Sequence, residues 1–218
     1  MIDAHFHRAV YDTYLSREEG EVRFFGCHPW QVGQVATDEM ARIEAALLDN
    51  PQAGVGEIGL DRLHKPDAAA FSRQRAVFVH HLELAARLNR PVVLHGAKCW
   101  GEVVKACLPY KGRIPAFLFH GFSRSGGLVP EIIALNGFIS VGPAVANDHA
   151  VNYRELVATL PPDRVLVETD VVDDDPETDR IALLDQVYGK LAELRGLSVP
   201  ELAAEVAANT ARFLSALA

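Results

Sequence analysis

The chain has 218 residues, with 29 acidic residues against 21 basic ones and a formal net charge of −8 at pH 7. That length suits one domain whose core needs no disulfide or structural metal merely to fold, and the acidic balance excludes a general basic coat for gripping nucleic acid. No apolar run approaches the ~20 residues of a membrane span, and Cys27, Cys99 and Cys107 are too few and too irregularly spaced for a metal knuckle or a secreted framework.

In chain order, short runs rich in Val, Ile and Phe fall at 1–6, 22–27, 53–58, 91–95, 115–120, 137–141 and 164–170. The first mixes a carboxylate with two histidines, which fits a strand and no secretory leader, so the expected address is the cytoplasm. Helical spacing separates the runs: Met40, Ile43 and Leu47, then Phe71, Phe78, Leu82 and Ala85, then Ile181, Leu184, Val187, Leu191 and Leu194. A last helix begins at Ser198, with Glu201 three residues on as its capping-box partner. Alternating strands and helices define an α/β chain with a parallel sheet. No linker or low-complexity tract divides it, so residues 1–218 read as a single domain and, with nothing in the sequence calling for a partner subunit, as a monomer.

The polar residues choose between a closed barrel and a doubly wound open sheet. Asp3, His5 and His7 alternate along the first run, and a period of two puts them on one face. Glu57 stands among glycines at the end of the third run, His95 ends the fourth, His120 the fifth and Asp170 the seventh. In a parallel barrel all of these ends open on one face, whereas an open sheet gathers only those near its switch point. The expected architecture is therefore a TIM-like barrel of seven main strands. Four imidazoles (His5, His7, His95, His120) and two carboxylates (Glu57, Asp170) are too many for one tetrahedral ion and suit two ions that activate water for hydrolysis. No Gly-rich phosphate loop, nucleophile elbow or dinucleotide fingerprint competes.

Taken in order, Asp3-Ala4-His5-Phe6-His7, Gly26-Cys27-His28-Pro29-Trp30, Gly56-Glu57-Ile58-Gly59-Leu60-Asp61, His95, His120-Gly121-Phe122-Ser123 and Glu168-Thr169-Asp170 resemble the TatD family of metal-dependent DNases. The likeness extends through Gln74 and Phe78 to Asn209-Thr210-Ala211-Arg212-Phe213. It implies a barrel of the amidohydrolase type and the same six metal ligands, with Glu57 as the bridge. It further implies that His28 and Asp61 line the substrate side.

Several departures set this chain apart. About twenty residues lie between the first motif and the second, where the family carries a further strand and two helices, so the second barrel unit is expected to be collapsed. Ala9 to Leu15 are the candidate for a short substitute strand, with Tyr11 and Tyr14 lying over the mouth as the alternative. Lys98 stands where an Arg is usual, Arg124 follows an altered fifth motif, and Asp173, Asp174 and Asp175 follow the last ligand. The expected activity is phosphodiester hydrolysis, with DNA as substrate, Asp170 and Glu57 as catalytic residues, two divalent ions (zinc, manganese or magnesium), and substrate contacts from His28, Asp61, Lys98 and Arg124. A small phosphoester or cyclic amide is the alternative substrate, and a metal-binding protein without turnover the third reading.

Overall fold

The computed structural model describes residues 1–9, 11–17, 20–34, 36–123, 126–172 and 178–217. Arg124 and Asp173 to Asp175 lie outside the described residues. Eight strands form one sheet in sequential order: β1 (Phe6–His7), β2 (Thr13–Arg17), β3 (Gly20–Phe25), β4 (Gly54–Asp61), β5 (Val92–Ala97), β6 (Phe117–Phe119), β7 (Gly137–Val141) and β8 (Val165–Val167). From β3 to β8 every neighbour is parallel. The seven helices are α1 (Glu39–Asp49), α2 (Ala68–Leu88), α3 (Trp100–Cys107), α4 (Val129–Ala134), α5 (Val151–Thr159), α6 (Arg180–Arg195) and α7 (Val199–Phe213). None is long and apolar enough to cross a membrane.

The seven main strands are joined by a short substitute strand after His7, at Thr13–Arg17 and not at 9–15. The additional one, β2, runs antiparallel to both β1 and β3. A hairpin needs only a tight turn, whereas a parallel crossover needs a dozen residues or more. The short segment after His7 could therefore supply a strand only by doubling back, and this is how the second unit is collapsed. The run at 1–6 is corrected too: only Phe6 and His7 lie in a ladder. The residues before them bond across a seam to the other end of the sheet, where the amide of Ala4 donates to the Val167 carbonyl (2.7 Å), that of Asp170 to His5 (3.0 Å) and that of His7 to Val171 (2.8 Å). The sheet thus curls until its ends meet in a distorted barrel.

Asp3 stiffens that seam from within. Its buried carboxylate accepts bonds from the backbone and hydroxyl of Thr169 and from Arg180 at the start of α6. Outside the sheet the helices begin and end where their side chains dictate. Asp67 caps α2, Asp179 caps α6, and Ser198 with Glu201 forms the capping box of α7. All eight residues of β4 are buried, as expected of a strand covered on both faces.

Candidate metal centre and active site

Glu57 is the hub, and its position follows from β4. The pairing of β4 with β5 slips between Val55 and Ile58, an irregularity of the kind that re-aims a side chain. Gly59 lets the strands close up beyond it: a Cβ there would lie 2.0 Å from the His95 carbonyl oxygen. The Glu57 carboxylate is consequently buried at the centre of the barrel mouth, with each oxygen facing its own set of imidazoles.

Around Oε2, His5 Nε2 lies at 3.4 Å and His7 Nε2 at 3.9 Å, while Asp170 Oδ1 stands 3.4 Å from His5 and 3.5 Å from His7. Donors bonded at about 2.1 Å to one tetrahedral ion stand about 3.4 Å apart, and two groups of three approach that spacing here: His5 with His7 and Glu57, and His5 with His120 and Asp170. His5 is fully buried, yet neither ring nitrogen makes a hydrogen bond. His7 donates Nδ1–H to the Asp12 carbonyl (3.1 Å), which leaves Nε2 free to ligate.

Around Oε1, His95 Nδ1 and His120 Nε2 each lie at 2.7 Å and His28 Nε2 at 3.4 Å. His28 thus joins Glu57 and His95 in a third possible donor group. It stands level with the expected ligands, which its place before a proline in the second motif did not reveal. Behind this set, Asp61 accepts from His95 Nε2 (3.2 Å), from the Trp30 indole (2.7 Å), and from the backbone and ring of His64. Asp61 was expected on the substrate side, but its side chain is buried under these donors. Gln74 fixes the assembly by accepting from the Asp61 amide and donating to the Pro29 carbonyl. Glu168 lies beneath His120, 3.8 Å from Nδ1, and accepts from the Gly121 amide and the Ser140 hydroxyl.

The electrostatics fit a cation. Burial and the neighbouring His120 oppose charge on His5, but Asp170 and Glu57 outweigh them and raise it to about 9. His120 is likewise raised despite burial, by Glu57 and Glu168. Burial would raise the Glu57 and Asp170 carboxyls, yet the surrounding imidazoles hold both below the usual range. Two ionised carboxylates thus favour protons on His5, His95 and His120, and divalent ions would take the place of those protons.

Two cavities open from the hub. One of about 570 Å³ runs past His95 and His120 to Gly96, Lys98 and Ser123. The other, about 240 Å³, is bounded by Tyr11, His28, Trp30 and Val172. Tyr14 instead packs beside Phe6. The two residues not foreseen beside the site are Trp30 and His64. The position of His64 just past β4 was the available signal, since loops at that end of a barrel strand face the mouth. His81 is fully buried in α2, away from the hub.

A largely parallel barrel with histidines and carboxylates converging on its C-terminal mouth defines a metal-dependent hydrolase. The chain belongs to the TatD related DNase family, whose profile matches residues 2–215. It is 26% identical over 192 residues to the uncharacterized metal-dependent hydrolase YabD of Bacillus subtilis (strain 168), covering 86% of this chain and 74% of that protein. It is 28% identical over 204 residues to the 3'-5' ssDNA/RNA exonuclease TatD of Pantoea vagans (strain C9-1), covering 88% and 77%. The crystal structure of YjjV, a TatD homologue from Escherichia coli K12, superposes with a TM-score of 0.77 at 27% identity, covering 87% of this chain and 75% of that one.

Proposed function

We propose that this chain is a phosphodiesterase acting on DNA, with two divalent ions held by His5, His7, Glu57, His95, His120 and Asp170. The observation that carries the reading is the division of Glu57: one oxygen faces His5 and His7, beside Asp170, and the other faces His95 and His120. Divalent ions bound there lower the pKa of water and offset the charge of a phosphoryl group. Asp170 is ionised and its side chain is 46% exposed, so its free carboxylate oxygen can take the proton of the attacking water. Lys98, exposed in the larger cavity, supplies an ammonium for the phosphate. His28 adds a donor beside Oε1, and Asp61 orients His95 rather than touching substrate.

Zinc suits the imidazoles, while manganese or magnesium suits the carboxylates and a phosphoryl substrate. One domain and one subunit supply every group of the site, which supports a monomer, and the free, buried thiols of Cys27, Cys99 and Cys107 suit the reducing cytoplasm. The net charge of −8 favours a second reading, a small phosphoester substrate. Protein reconstituted with each metal and incubated with single-stranded DNA, duplex DNA and a panel of small phosphodiesters separates the two. Cleavage of DNA with two ions per chain is expected; turnover of small esters alone would replace the first reading with the second.

A further inference from the structure

We propose that Tyr11 and Trp30 form a stacking seat for one unpaired nucleobase adjoining the scissile phosphate, an inference that rests on the phosphodiesterase reading above. Isolated exposed aromatic rings are ordinary, but these two, brought from separate segments, flank the same cavity beside Glu57. Trp30 is 42% exposed and Tyr11 36%.

Both rings are held in place. The Trp30 indole N–H donates to buried Asp61 (2.7 Å), and its ring meets His28 edge-on at 4.8 Å and His64 at 4.4 Å. Its exposed apolar surface is therefore a fixed wall and not a mobile side chain. Tyr11 stacks on the His28 ring at 5.5 Å with the two planes 29° apart, and its backbone has φ +73. A bulky residue rarely adopts that conformation, and such outliers gather where position matters to function.

His28 links the two rings to the hub, with Nε2 3.4 Å from Glu57 Oε1. A phosphate drawn to cations held around Glu57 would therefore bring the attached nucleoside against the rings that flank His28. The cavity of about 240 Å³ has room for a base. Bases in a duplex are already stacked on both faces, so the seat selects an unpaired end. Stacking tolerates every base because each has a π-face, which predicts little preference among the four. An acidic protein without a general basic coat gains in this way a grip on nucleic acid that salt does not screen.

The test uses metal-loaded protein and two single-stranded oligonucleotides of equal length, one complete and one abasic at the nucleotide adjoining the cleaved bond. The complete strand is expected to have a kcat/KM roughly ten- to a hundredfold higher, the range that one stacked base supplies. Tyr11→Ala and Trp30→Ala should each shrink that ratio, Tyr11→Phe should preserve it, and metal content measured alongside shows whether each variant keeps its centre. Equal cleavage of the two strands by the wild-type protein, or a ratio untouched in both alanine variants, overturns the seat while leaving the phosphodiesterase reading standing. Failure to cleave either strand while a small phosphodiester is hydrolysed overturns the DNA reading and the seat together.

Discussion

At the scale of single residues, identity and environment together decide what each ionisable group does. Asp170 is held ionised by His5 and His7 but is open enough to meet water. Asp170→Asn should therefore lower turnover by roughly 10²- to 10⁴-fold, the usual worth of a positioned proton acceptor, with an unchanged melting curve as the check on folding. His81 shows the opposite use of an imidazole. It is buried in α2, accepts from the Cys27 amide (3.1 Å) and donates to the Val77 carbonyl (2.8 Å), and burial lowers it to about 4 from an ordinary 6.5. The unfolded chain binds this proton more readily than the folded one, so stability is complete above pH 6.5 and is lost as the pH falls towards 4, by about 3 kcal/mol in all. Denaturant titrations from pH 7 to pH 4 should show that loss, and His81→Gln, which has no proton to gain, should show a shallower slope. The six clustered groups were legible in the sequence because residue type and strand period report directly on chemistry. The roles of Trp30 and His64 were not, because each depends on Asp61, a contact made between separate segments.

At the scale of elements, strands whose apolar runs are long and β-branched were legible, and so were helices with strong periodicity or side-chain caps. The helices α3, α4 and α5 span only 8, 6 and 9 residues, too short for a 3.6-residue period to stand out. β2 was legible only as a short strand at 9–15; its bounds, Thr13–Arg17, were not, because that segment has little apolar character of its own and is a strand where two neighbours pair with it. The cap of α7 is where local sequence decides most. The Ser198 hydroxyl accepts from the Glu201 amide, and the Glu201 carboxylate accepts from the Ser198 amide at 2.8 Å. Ser198→Ala should cost about 1 kcal/mol of stability, seen as a lower denaturation midpoint at constant slope, with metal content unaffected because α7 contributes none of the site residues. Gly59→Ala should lower both stability and metal content, since the added methyl would drive β4 from the His95 carbonyl and spread the donor sets on either side of Glu57.

At the scale of the whole molecule, the barrel is closed by few bonds where it matters most. β1 has two residues and β8 three, yet His5 and His7 come from one side of the seam and Asp170 from the other. Ions bound between them would tie the first strand to the last, and a ligand bound only by the folded chain stabilises it by about 2.7 kcal/mol at a hundredfold excess over its Kd. Stripping metal with a chelator should accordingly lower the melting temperature, and restoring the ion should recover it; a transition unmoved by either step would show that the seam does not depend on the centre. The distribution of this effect is the more revealing quantity. If loss of the ions loosens the seam before the rest, the amides of Ala4, His7 and Asp170 should exchange their hydrogens with solvent by a local opening, while those of β5, β6 and β7 wait for global unfolding. The same three amides would then serve as a clock for occupancy, slow in the loaded protein and fast in the stripped one.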